Sequence, residues 1–186
     1  MQNLPNLLTI FRIAMIPALY LAFQLDGHFG DWLCIAIYTL ACLSDFFDGW
    51  VARRYDVQSG FGRMLDPIAD KLTIATCLIL LAHAQIVTDL HLAAAVIIMC
   101  REVLVSGLRE YLIELRISLP VSTLAKYKTT IQMVAIGFLL SDEGGKAVWA
   151  DAHSFGLVLL WLAAGLTLIT GYDYLRQGLK HAKWSD

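Results

Sequence analysis

Four aspartates stand out by type and spacing. Asp45 and Asp48 lie in Ser44-Asp45-Phe46-Phe47-Asp48-Gly49-Trp50, an otherwise apolar and aromatic run. Asp45, Asp48, Gly49 and Ala52 fall at offsets 0, 3, 4 and 7, one stripe of a helix. Gly62, Asp66 and Asp70 fall at offsets 0, 4 and 8, a second stripe. The short connection Arg54–Phe61, with Gly60, predicts an antiparallel helix pair whose carboxylates face each other. Four carboxylates this close repel unless cations neutralise them. Hard oxygen donors favour Mg²⁺ or Mn²⁺. Two such ions are the standard device for displacement at phosphorus, clamping the attacking and leaving oxygens. Gly49, Ala52 and Gly62 leave room for a ligand against the helix backbone, although small residues also serve close helix packing. Arg53, beside the stripe, suits a phosphate; Arg54 suits a surface anchor.

The elements that hold these residues follow from composition. The chain has 186 residues, 58% apolar and 16% charged, with a mean hydropathy of +0.63. That is too few charges for the polar skin of a soluble domain. Disorder needs the opposite balance. A net charge of −2 leaves no nucleic-acid footprint. A bilayer protein remains, and six spans of about 20 residues fit the length with short connections. Apolar runs place them at Leu7–Phe23, Trp32–Arg54, Gly62–Ala84, His91–Leu115, Ser122–Leu140 and Ser154–Tyr174. Backbone groups in lipid must be satisfied within each segment, so the expectation is an all-α integral membrane protein, one domain over residues 1–186. The N-terminal run contains Arg12 and lacks a basic leader, so it reads as a retained first helix. Cys34, Cys42, Cys77 and Cys100 read as small buried hydrophobes.

Charge sorts by side. The connections around Gln24–Asp31 and Gln85–Asp89 carry no Lys or Arg, and Ser141–His153 carries only Lys146. Every other basic residue lies at the opposite ends of the segments. The positive-inside rule makes those ends, and both termini, cytoplasmic. Asp45, Asp48, Asp66, Asp70, Arg101, Arg109, Lys126 and Lys128 cluster in the cytoplasmic thirds of segments two to five. Ionisable groups at membrane depth mark function by default, although Lys126 and Lys128 also fit simple hydration at a helix end.

The run Asp45-x₂-Asp48-Gly49-x₂-Ala52-Arg53-x₈-Gly62-x₃-Asp66-x₃-Asp70 resembles the signature of the CDP-alcohol phosphatidyltransferases at all eight fixed positions. The resemblance covers essentially the whole chain. It implies a six-helix membrane core with the active site at the cytoplasmic face. It implies transfer of a phosphatidyl group from a CDP-linked lipid, CDP-diacylglycerol, to an alcohol, with release of CMP. By position, Asp45, Asp48, Asp66 and Asp70 correspond to metal ligands for Mg²⁺ or Mn²⁺, and Asp70 also to the general base. Gly49, Arg53 and Ser59 correspond to contacts with the CDP-lipid, with Ala52 and Gly62 allowing the nucleotide to approach.

The rest of the chain bears on the acceptor. Asn3-Leu4-Pro5-Asn6-Leu7-Leu8-Thr9-Ile10-Phe11-Arg12 resembles the start of family members that use sn-glycerol 3-phosphate, and also of those that use phosphatidylglycerol to make cardiolipin. Arg101-Glu102-Val103, Leu108-Arg109-Glu110-Tyr111 and Lys126-Tyr127-Lys128-Thr129-Thr130 are closer to the glycerol 3-phosphate users. The chemistry agrees, because Arg101 and Arg109, eight residues apart, share a helix face, and Lys126 enters the same zone. Such a cluster suits a phosphomonoester. The rival assignments are ion pairs: Arg101 with Glu102 or Asp70, and Arg109 with Glu110 or lipid phosphate. Arg116 reads as an interface anchor. A divalent-cation transporter is disfavoured, since it would place ligands near the midplane, open to both sides.

His28, His83, His91, His153 and His181 lie away from the carboxylates. Trp32, Trp50, Trp149, Trp161 and Trp184 read mostly as an interfacial belt, and Arg176, Lys180 and Lys183 as a basic tail for anionic lipid. Relatives of this kind are commonly homodimers, which the sequence neither requires nor excludes. The expected location is the bacterial inner (cytoplasmic) membrane, as a multi-pass protein, with membrane lipids and no nucleic acid as partners.

Overall fold

A computed structural model describes residues 4–55, 60–114, 117 and 123–181, with the side chains of 4–6, 8, 48–55, 60, 61, 63 and 179–181 outside that description. The described residues form helices only: α1 (Leu4–Phe23), α2 (His28–Tyr55), α3 (Gly60–His83), α4 (Asp89–Glu114), α5 (Thr123–Leu140), α6 (Asp142–Val148) and α7 (Ala152–His181). Six of them coincide with the expected segments to within a few residues, except that α7 runs on to His181. The seventh, α6, is a short helix inside what the sequence presents as a plain connection. Its first turn is acidic (Asp142, Glu143), which suits the positive end of a helix dipole.

Among the described residues, three helical stretches are long and apolar enough to cross a membrane: His28–Phe47, Asp89–Glu114 and Ala152–Gly178. The apolar stretch of α1, Thr9–Phe23, is shorter. Charged N-terminal halves set α3 and α5 apart, since α3 carries Asp66, Asp70 and Lys71 there and α5 carries Lys126 and Lys128. Large apolar side chains point outward along the bundle, among them Leu21, Ile79, Val96, Ile113 and Val158, each more than half exposed. A water-facing surface would not carry so many. The molecule is a helical membrane protein.

Helices α5 and α4 both pack along α7, and α1 packs against both α2 and α3. The core runs through Leu19, Leu81, Ile98, Ile136, Leu139 and Leu160. Where helices come closest, α7 carries glycine, which lets backbones approach in a membrane. A Cβ on Gly156 would meet Leu139 Cγ and Cδ2 at 3.0 Å and Phe138 Cβ at 3.2 Å. A Cβ on Gly178 would meet Leu108 Cδ2 at 2.8 Å. Cys34 and Cys77 are buried as expected and Cys42 is half-buried, but Cys100 is exposed. It lies on the outward face of α4, which the apolar run alone does not distinguish from the inward one.

The alternating helices bring one end of each to a common zone: the start of α1, the end of α2, the start of α3, the end of α4, the start of α5 and the end of α7. The other end is closed locally. Asp31 accepts a hydrogen bond from Gly144 N at 2.8 Å, which ties α6 to α2. Trp161 Nε1 donates to His91 Nδ1 at 3.0 Å and ties α7 to α4. Lys146 pairs within α6 with Glu143 at 2.7 Å and Asp142 at 3.3 Å. The hydrogen bond from Lys146 holds the Glu143 carboxyl below its usual range.

Gly156→Val should strain the α5–α7 contact. Overpacking of this kind costs about 1–3 kcal/mol. A lowered melting temperature in detergent is the expected outcome, and an unchanged one would show slack between the two helices.

Candidate active site

The common zone holds a cavity of about 1020 Å³. That is at the upper end for ligand pockets, room for more than one small ligand. One wall is acidic. Asp45 from α2 and Asp66 and Asp70 from α3 line it, with Arg12 from α1 between them. Asp66 and Asp70 reach the same space because they are one turn apart on α3. Asp48, Gly49, Ala52 and Arg53 lie in α2, but their side chains are outside the described set. Ser59 lies outside the described residues altogether. Gly62 is buried at the start of α3.

Arg12 joins the two carboxylate-bearing helices. Its Nη1 is 2.9 Å from Asp45 Oδ1 and 2.5 Å from Asp70 Oδ1. One turn earlier, Thr9 Oγ1 donates to Asp66 Oδ1 at 2.5 Å. The Arg12 side chain is 2% exposed, while those of Asp45 and Asp70 are 43% and 47% exposed. The cation is at the back, and the carboxylates open toward the cavity. Sequence reasoning gave Thr9 and Arg12 no role in the site. The signal was present: Arg12 is the one charged residue in the apolar run of α1.

A basic wall also lines the cavity. Arg101 and Arg109 from α4 and Lys126 and Lys128 from α5 form it, with Glu102 and Glu110 among them, and Lys71 from α3 lies beside Asp70. Arg109 and Lys126 are exposed and Arg101 is half-buried. Glu102 is the hub of this wall. It pairs with Lys128, which is buried, and lies 3.6 Å from Arg101 Nη1. Arg101 Nη2 also donates to Thr170 Oγ1 on α7 at 3.1 Å. Gly171 makes this possible, since a Cβ there would meet Arg101 Cγ at 2.9 Å. Arg101 thus both pairs with Glu102 and faces the cavity. Lys71 donates to the Pro67 carbonyl at 2.6 Å, which holds it alongside Asp70.

The acidic wall has the donor chemistry a hard divalent cation requires, namely carboxylate oxygens opening on a hydrated space. Among the described residues, no three His, Cys, Asp or Glu side chains close on a single point. Asp48, the fourth aspartate of the two stripes, is outside that set.

Carboxylates and cations together line one cavity in a helical membrane protein, a lining whose chemistry suits phosphate-bearing ligands and the cations that accompany them. A sequence profile of the CDP-alcohol phosphatidyltransferases matches residues 2–169, and the chain belongs to that family. It is 44% identical over 181 residues to the CDP-diacylglycerol–glycerol-3-phosphate 3-phosphatidyltransferase of Rickettsia bellii (strain RML369-C), covering 97% of both chains. Proteins of the same name from Pectobacterium atrosepticum and Cereibacter sphaeroides are 39% and 35% identical, covering 93% and 97% of each chain respectively. The family uses a CDP-linked alcohol and an acceptor alcohol, and generally divalent metal ions.

Glu102 compensates two cations, whereas Lys128 compensates only part of Glu102. Removing one partner of a buried pair costs about 3–5 kcal/mol. Glu102→Ala should therefore lower the melting temperature more than Lys128→Met does. The reverse order in thermal unfolding would mean that Lys128, rather than Glu102, organises the wall.

Proposed function

We propose that this chain transfers a phosphatidyl group from CDP-diacylglycerol to sn-glycerol 3-phosphate, giving phosphatidylglycerophosphate and CMP in phospholipid biosynthesis. The names of full-length relatives at 35–44% identity support the reaction. The observation that carries it in this chain is a single cavity lined both by Asp45, Asp66 and Asp70 and by Arg101, Arg109 and Lys126. Two cofactor ions, Mg²⁺ or Mn²⁺, would be held by Asp45, Asp48, Asp66 and Asp70. When bound they supply neutralisation of the diphosphate and of the charge that builds on departing CMP.

The residues do the rest. Gly49, Ala52, Arg53, Ser59 and Gly62 receive the CDP-lipid, the small ones by leaving backbone accessible. Arg101, Arg109 and Lys126 hold the phosphate of glycerol 3-phosphate, Arg by its planar fork and Lys as a point charge. Asp70 takes the proton from the acceptor's 1-hydroxyl. That oxygen forms its bond to the lipid-side phosphorus as the bond from phosphorus to the CMP oxygen breaks. The protein contributes positioning and charge placement more than covalent chemistry.

The reading places six spans in the bacterial inner membrane, with both termini and the cavity on the cytoplasmic side. The charge distribution supports it, since Lys146 is the one Lys or Arg at the closed end. A homodimer, common among relatives, belongs to the same reading.

Purified membranes should release CMP from CDP-diacylglycerol when given glycerol 3-phosphate. Phosphatidylglycerol, serine or inositol phosphate should not substitute, and release with one of these alone would reassign the acceptor. Asp70→Asn should abolish turnover, and an active Asp70→Asn enzyme would need another base. Arg109→Ala should raise the apparent KM for glycerol 3-phosphate far more than that for CDP-diacylglycerol. The opposite pattern would move Arg109 to the nucleotide side of the cavity.

A further inference from the structure

The acidic wall is built by three helices, and the third, α1, contributes no carboxylate. We propose that Thr9 and Arg12 are positioning residues, a clamp on α1 that sets the spacing and aim of Asp45, Asp66 and Asp70. The inference rests on the reaction proposed above.

Four observations carry it. Thr9 and Arg12 are three residues apart, so they share one face of α1. Both are about 1% exposed. Between them they reach three carboxylates on two other helices, Thr9 to Asp66 and Arg12 to Asp45 and Asp70. The sequence separations of 57 and 58 residues exclude a local capping role for the contacts to α3.

The physics favours a guanidinium at this point. Asp45 and Asp70 each place Oδ1 on the same nitrogen, a separation at which two anions repel unless a cation lies between them. Arg stays charged at any working pH, so the pairing does not depend on the protonation state of the cation. Charge-assisted hydrogen bonds are short and directional, so they fix orientation as well as proximity. A misplacement of about 1 Å at a reacting group can cost about 100-fold in rate. A clamp that acts by aiming the carboxylates should be felt on its removal in turnover more than in substrate binding.

The test uses the full-length protein in mixed micelles with CDP-diacylglycerol and glycerol 3-phosphate, comparing wild type with Arg12→Met, Arg12→Lys and Thr9→Val. Each variant is first checked for a cooperative melt. Arg12→Met should lose about 100-fold in kcat while both KM values hold. Arg12→Lys should recover part of that loss, because an ammonium keeps the positive charge beside Asp45 and Asp70. Thr9→Val, nearly the same size, should lose about tenfold in kcat as the hydrogen bond to Asp66 is removed. If Arg12→Met does not fold, Arg12→Lys and Thr9→Val still decide. Folded variants that melt earlier but keep wild-type kcat would make Thr9 and Arg12 structural anchors and overturn the clamp. Losses confined to a substrate KM would instead make Arg12 a binding residue and also overturn it. Absence of CMP release by the wild type would overturn the proposed reaction, an outcome distinct from any difference among variants.

Discussion

Burying an ionised side chain among apolar helices costs several kcal/mol, and only a well-placed partner offsets it. The bundle is organised around that constraint at one end and is free of it at the other. In the cavity zone the partners come from distant parts of the chain: Arg12 with Asp70, separated by 58 residues, and Lys128 with Glu102, separated by 26. At the closed end Lys146 is paired three and four residues away, within a single short helix. Local pairs decorate a helix, whereas distant pairs fix how helices meet. The ion pairs of the cavity are therefore also ties between α1, α2 and α3 and between α4 and α5.

The same ties divide the cavity into two chemistries. Arg12 compensates the acidic wall from behind, and Glu102 compensates the basic wall between Arg101 and Lys128. Neither wall is neutralised at its open face. Asp45 and Asp70 keep roughly half their side-chain surface accessible, and Arg109 and Lys126 are exposed. Each wall thus carries a counter-charge of opposite sign held in ion pairs, Arg12 in the acidic wall and Glu102 in the basic one. The arrangement lets like charges gather where phosphate chemistry needs them without a net repulsion that would open the bundle. Gly171 and Thr170 extend the scheme to α7, which supplies a groove and a hydroxyl for Arg101.

Much of this was legible in the chain, for a physical reason. Helix positions follow from the length of apolar runs, and bilayer thickness fixes that length narrowly. The aspartate stripes are local, three, four and eight residues apart, so helical geometry alone aligns them. Arg101 and Arg109 follow by the same rule. What was not legible is the pairing between helices. Nothing in the spacing of Thr9 and Arg12 says that they meet Asp66, Asp45 and Asp70, because those contacts depend on how α1 lies across α2 and α3. Lys126 and Lys128, two residues apart, cannot point the same way on a helix, but only packing decides that Lys128 is the buried one. Helix α6 escaped for the converse reason: at seven residues it has no periodic apolar signal.

The division of labour within the basic wall bears on how an anionic acceptor is recognised. Lys128 is buried against Glu102, and Arg101 is shared between Glu102, Thr170 and the cavity. Among the described residues, neither Arg109 nor Lys126 is held in an ion pair. A phosphate arriving at this wall meets two exposed cations that need no partner removed, and one, Arg101, already oriented by its neighbours. Displacing an existing buried ion pair would cost more than a single phosphate contact returns. On the proposed reading, Arg109 and Lys126 would carry most of the affinity for the acceptor, while Glu102 sits between Arg101 and Lys128. That separation matters in a membrane enzyme, where the wall must remain folded when the cavity holds only water.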